Sequence, residues 1–448
     1  MKRHFQISRI KPNASMATPS VLPSGFTFVD NFQGATAAVS ELSTAIETAL
    51  EQMSLGVDLG LQLKQLVHGL DKEGSTYDNS KVNEQIPCSE WQCSRATAEL
   101  VSLAWNCTHE TYNTANDIVD PSRYSVQCEF VETPSLGEGV KAWTSTLVSP
   151  LSNSAEKSEF LPVLVVAIRG SASSMDHVVN VNEPPRDASH FIDPSVSSNP
   201  GLLANATLLK QAEALSESVS QRIQLYADAR GQHPKHVLLT GHSAGGAVAS
   251  LLFLHYISKS GLGKRARFSC VTFGSPPSIA GPIDVSRYHS TNSATIAVNL
   301  VNEFDLMSRA DSTYAMSLVN LARSTYGQRP IPLDEGGSSS SSGTREPSPT
   351  LTRDLSASSR NVWPVPKLGC HHVGSRVVLM MRLDEDEIQL RAVEVPDSEF
   401  EKLLFCRMSV HNGVCYSERI QLIQDGIFNR RRGWTGKEVQ GPINPKCL

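Results

Sequence analysis

The 448 residues are 40% hydrophobic and 19% charged, enough to bury a sizeable core in one large domain with extensions or in two domains. Forty basic residues against 45 acidic ones, a formal net charge of −5, offer no electrostatic case for nucleic acid, which needs a concentrated basic face. The stretch up to Phe26 holds no uninterrupted apolar segment of the secretory kind, and no run approaches the roughly eighteen apolar residues of a membrane span.

Nine cysteines, odd in number and mostly scattered, show no paired metal-ligand spacing. An intracellular, cytoplasmic and reduced chain is expected, with the sequons at Asn13, Asn106 and Asn205 unused.

In chain order, residues 1–30 read as disordered. Thr36 to Leu70 spaces its apolar residues three and four apart, so a helical extension is expected over 31–95. A helix follows from Ala96, and the runs near Ser125 to Val131 and Val140 to Leu147 read as antiparallel strands. Strand and helix then alternate. "LPVLVVAIRG" is followed by the long helical "LLANATLLKQAEALSESVSQRIQLYADAR", then by "HVLLTG", another helix and "FSCVTFGSPPS". Short apolar strands interleaved with helices indicate an α/β fold, a sheet covered by helices on both faces. Residues 333–361, rich in serine, glycine and proline, cannot bury enough apolar surface to offset ordering and are expected to form a disordered insertion. "RVVLMMRL", "IQLRAVEV" and the helical "SERIQLIQDGIF" complete the body, which spans 96–332 and 362–425 and leaves a tail over 426–448.

Gly241-His242-Ser243-Ala244-Gly245 matches G-x-S-x-G, in which a serine sits on a strained strand-to-helix turn with its hydroxyl exposed. The pentapeptide is weak by itself. Its setting strengthens it, because His236 to Thr240 reads as a buried strand and a helix begins directly after the serine. The helix N-terminus would bring backbone N–H groups and positive dipole to an oxyanion beside Ser243. A serine hydroxyl needs a base, itself oriented by a carboxylate.

The chain resembles the class 3, or fungal lipase-like, α/β-hydrolase family. The resemblance runs through "VVAIRGSAS" at Val165 to Ser173, His190 and Phe191, "LTGHSAGGAVASLL" at Leu239 to Leu252, "VTFGSPP" at Val271 to Pro277 and "VNEFDLMSRAD" at Val301 to Asp311. It implies an esterase or lipase using Ser, Asp and His. It also implies an oxyanion hole at Ser171 and Ala244, and Asp305 as the acid, 62 residues after Ser243. Met307 and Ser308 stand where the family carries a proline. Asp311, Glu303 and Asp284 remain alternative acids, though each is more simply read as a solvated surface carboxylate.

Only His371, His372 and His411 follow Asp305, and in the order Ser, Asp, His the base comes last. The resemblance places the base just before the last helix, at His411, with His372 as the alternative; His242 and His190 read as packing residues. Ser171 to Pro185 occupies the family's lid position, either as a short amphipathic helix or as a plain loop.

The expected reaction is cleavage of a carboxylic ester of a lipid through an acyl-enzyme on Ser243, with no metal or organic cofactor. The partner is a lipid or small ester, met at a transient membrane or lipid-droplet surface. A lipase-fold binding or scaffold protein, and an acyltransferase using the same residues, are the alternatives.

Overall fold

Alternating inward and outward side chains along five short apolar strands decide how the helices are laid on the sheet. The computed structural model describes residues 68–83, 89–112, 122–132, 142–151, 158–170, 185–197, 201–229, 235–285, 295–325, 327, 361–367, 369–384, 387–429 and 437–438. The strands are β1 (Ser89–Glu90), β2 (Tyr124–Glu132), β3 (Trp143–Pro150), β4 (Val163–Ile168), β5 (Pro185–Asp187), β6 (Leu203–Asn205) and β7 (His236–His242). They continue with β8 (Arg267–Phe273), β9 (Ile279–Ala280), β10 (Ala297–Asn302), β11 (Ser375–Asp384), β12 (Glu387–Glu394) and β13 (Lys437–Glu438). The longer helices are α1 (Arg95–Glu110), α2 (Ala206–Asp228), α3 (Ala244–Ser258), α4 (Ser312–Thr325) and α5 (Gly413–Gln424).

The main sheet runs β1-β12-β11-β10-β8-β7-β4-β3-β2, with β13 pairing the end of β11 off this path. The central strands β4, β7, β8, β10 and β11 are parallel, and the flanking pairs at both edges are antiparallel. A small antiparallel sheet, β5-β6-β9, stands apart.

Leu164, Val166 and Ile168 of β4 and Val237 and Leu239 of β7 pack with α2 and α3 on one face. Val163, Val165 and Ala167, with Leu238 of β7 and Val271 and Phe273 of β8, pack with α1 and α5 on the other. Period-two alternation thus splits the core into two layers, one on each side of the sheet. Helix α2 has buried Leu208, Leu209, Ala212, Leu215, Val219 and Ile223 at helical spacing, whereas α3 is buried almost all round. A mixed sheet with helices on both faces and a serine at the β7–α3 junction is an α/β-hydrolase-like fold.

Residues 31–67 of the expected extension, the insertion over 333–360 and residues 171–184 of the lid position lie outside the described residues. From residue 68 the extension is helical only to residue 74; it then passes through a 3-10 turn, Asp78–Ser80, and contributes β1 to the main sheet. The tail returns too, as β13. Among the described residues, no helix is long and apolar enough to cross a membrane, and no group of three or more His, Cys, Asp or Glu could hold a metal ion.

Candidate active site

Ser243 is the single residue between β7 and α3, with φ 60° and ψ −135°. That backbone region is sparsely populated for any residue with a Cβ and costs roughly 1–3 kcal/mol. Its surroundings hold it there. The Ser243 N–H donates to Phe273 O at 2.9 Å, and its carbonyl accepts from Gly246 N at 2.9 Å and Ala247 N at 3.3 Å. Gly245 is required by close approach rather than by conformation, because a Cβ there would lie 2.2 Å from Ile168 O and 2.8 Å from Gly170 N. The helix therefore starts hard against the end of β4. Ala244 is its first residue, so the Ala244 N–H lies among the four that find no partner inside the helix.

Asp305 follows the end of β10 and caps a 3-10 turn, Leu306–Arg309, its Oδ1 accepting from Met307 N at 2.9 Å. The side chain is fully buried. Its other oxygen, Oδ2, lies 2.9 Å from His411 Nδ1 and accepts from the Tyr416 hydroxyl at 2.7 Å. A carboxylate partner assigns the proton to Nδ1 and leaves Nε2 of His411 as an acceptor. Among the described residues, that buried Nε2 finds no hydrogen-bond partner.

Two further residues fix this arrangement. Tyr416 Oη accepts from Asn302 N at 3.1 Å, and Asn302 Nδ2 donates to Val410 O at 2.7 Å, so β10 holds both the tyrosine and the turn before His411. Burial and the Asp305 charge push the Tyr416 phenol well above its ordinary value, so it stays a donor. Gly274, φ +53°, makes room: a Cβ there would lie 2.6 Å from both Asp305 Oδ2 and Tyr416 Oη and 3.0 Å from His411 Nδ1. Tyr416 and Asn302 were not legible as site residues, since their partners are 111 and 108 residues away in the chain.

The structure gathers Ser243, Asp305, His411 and Ala244 at the ends of β7, β8 and β10; Ser171 lies outside the described residues. His242, buried, stacks on the His411 ring with centroids 4.4 Å apart and sends Nε2–H to His411 O at 3.1 Å. Its Nδ1 then accepts from the Tyr112 hydroxyl at 3.4 Å, and that hydroxyl oxygen accepts from Gly170 N at 2.9 Å. His372 is elsewhere: buried against Phe400, it donates Nε2–H to Ser275 O at 3.0 Å. Burial, helped by the neighbouring Arg376 cation, lowers its pKa to about 3, so it is neutral. His190 lies at the surface, 2.5 Å from Glu213.

Two of the three alternative acids differ from expectation. Glu303 is buried, paired to Arg382 at 2.8 Å and accepting from Val82 N. Asp311 is buried too and accepts from Tyr314 N, Gly369 N and Cys370 N. Neither is a solvated surface carboxylate, because each satisfies backbone N–H groups or a cation in the interior; Asp284 is exposed.

The class 3 lipase family model matches residues 165–314. Among solved structures, the chain is similar to a lipase from Rhizopus microsporus var. chinensis, with 15% identity over 51% of this chain and 75% of that one and a TM-score of 0.33. It is also similar to a triacylglycerol lipase from Penicillium expansum, with 12% identity over 67% and 85% and a TM-score of 0.36. The native propeptide complex of Rhizomucor miehei lipase gives 12% identity over 79% and 93%, with a TM-score of 0.40. Comparison with curated proteins gives no match.

Proposed function

Since this chain is class 3 lipase-like over residues 165–314, we propose that it cleaves a carboxylic ester of a lipid, an acylglycerol or a phospholipid, through an acyl-enzyme on Ser243. The observation that carries the reading is the buried His411, protonated toward Asp305 on one side and with no partner for its Nε2 among the described residues on the other. A neutral imidazole with one nitrogen anchored and the other open is what a general base for a nearby hydroxyl requires.

Ser243 Oγ turns toward His411 Nε2 and attacks the ester carbonyl as its proton passes to that nitrogen. Asp305 stabilises the resulting imidazolium, while Tyr416 and Met307 N keep its carboxylate oriented. The tetrahedral oxyanion is held by the backbone N–H groups of Ala244 and Ser171, each worth about 3–4 kcal/mol. Collapse expels the alcohol, which takes the proton from His411. Water, deprotonated by His411, then attacks the acyl-enzyme and releases the acid. The reading needs no metal or organic cofactor. The substrate is met at a membrane or lipid-droplet surface.

A fluorophosphonate probe and a panel of acylglycerol, phospholipid and short-chain esters test the reading. A Ser243 adduct together with hydrolysis of a lipid ester is expected. No adduct and no hydrolysis in folded protein would sink it, and an adduct with product formed only when an acceptor alcohol is supplied would replace hydrolase by transferase.

A further inference from the structure

Residues 68–83 lie across the two turns that carry Asp305 and His411. The Nε–H of Arg407 is shared between both carboxylate oxygens of Asp71, at 2.8 and 3.0 Å. Arg407 is buried and sits over the Phe304 ring at 4.3 Å. Its backbone bridges the same turn: Arg407 N donates to Phe304 O at 3.0 Å, Leu306 N donates to Arg407 O at 3.4 Å, and Asp305 and Arg407 form an isolated parallel bridge. Phe304 has φ +75°, a left-handed conformation that a phenylalanine does not take unaided.

The same segment secures the approach to His411. Cys406 Sγ donates to Leu70 O, Leu404 N donates to Asn79 O at 2.8 Å, and Asn79 Nδ2 donates to Lys402 O and Trp363 O. Val82 N donates to Glu303, two residues before Asp305. Leu70 and Tyr77 pack against the cluster that contains Leu306, Met307 and Cys406.

We infer that residues 68–83 brace the acid and the base, with Asp71 a positioning residue that acts through Arg407 on the turns bearing Asp305 and His411. This rests on the reading of those two residues given above. Neither turn belongs to a strand or long helix, so their relative placement depends on contacts of this kind. Misplacement by about 1 Å costs about a hundredfold in rate, and loss of one tie among several should cost less.

The test uses the full chain labelled with ¹⁵N-histidine, in which the His411 Nδ1–H resonance and its solvent exchange read the pair whether or not an ester is turned over. Asp71→Asn should speed that exchange about tenfold and lower kcat by about the same factor at unchanged KM, and Asp71→Glu should restore both. The double variant Asp71→Asn/Arg407→Gln leaves no unpaired buried cation, so it serves if the single variant fails to fold, and it should show the same losses. Wild-type exchange in the folded single or double variant overturns the brace, as does failure of Asp71→Glu to restore it. A wild-type chain that shows the resonance but hydrolyses no ester refutes the function, while the exchange rates still decide the brace.

Discussion

Asp305 has no spare hydrogen-bonding capacity on the side that matters. Its Oδ2 serves both His411 and Tyr416, and the tyrosine in turn is the acceptor for Asn302 N. Replacing Tyr416 by Phe removes the donor and strands a buried N–H, which should cost about 1–3 kcal/mol of stability. Urea unfolding measures that loss. In the kinetics, kcat should fall several-fold with KM little changed, because Tyr416 is fully buried and its hydroxyl is spent on Asp305.

Ser243→Ala should reduce hydrolysis by at least about a thousandfold while leaving the fold intact. Turnover within tenfold of wild type would show that another group does the chemistry. At this scale the sequence was partly legible. Ser243 stood out because its strand, turn and helix are contiguous. His411 could be told from His372 only through the family's element order, and geometry separates them plainly: His411 faces a carboxylate, His372 a carbonyl.

The element that sets the geometry is α3, whose first turn packs directly on the end of β4. Gly245→Ala would press a methyl group against Ile168 O and the backbone at Gly170, none of which can retreat without moving the sheet. We expect destabilisation of at least about 3 kcal/mol, or no folded protein, measured by chemical denaturation. Strands and helices were legible because apolar runs and periodicity are local signals; β2, β4, β7, β8 and α1 fall where those signals put them, while β3 begins three residues later and α5 four residues earlier than expected. The start of "LLANATLLKQ" was not, since Leu203–Asn205 pairs with Pro185–Asp187 and Ile279–Ala280 as a strand instead of extending α2. Asn205 caps the helix by accepting from Leu208 N, a switch that a continuous apolar pattern conceals.

At the scale of the molecule, His236 and His372 are buried, neutral and away from the candidate site. His236 bonds Phe160 O and Ser269 Oγ, and burial lowers its pKa to about 4; His372 is lowered to about 3. Once unfolded, both would take up a proton near their ordinary value of 6.5. The unfolded chain therefore binds more protons below that pH. The stability these groups contribute is fully present above 6.5 and is lost as pH falls toward 4 and then 3. Each should add roughly 1.4 kcal/mol per pH unit to the slope of unfolding free energy over about pH 4.5–6. His236→Gln should make that slope shallower by about one proton, measured by denaturant titrations across the range; an unchanged slope would mean that His236 titrates normally in the fold.

The most direct test is reaction of the folded chain with a fluorophosphonate, followed by peptide mapping of the adduct. A single adduct at Ser243, lost in His411→Ala at the same folded content, is the predicted result. Labelling that survives His411→Ala at the wild-type rate, or no labelling of Ser243 in the wild type, would contradict the assignment of His411 and Asp305 as the pair that activates Ser243.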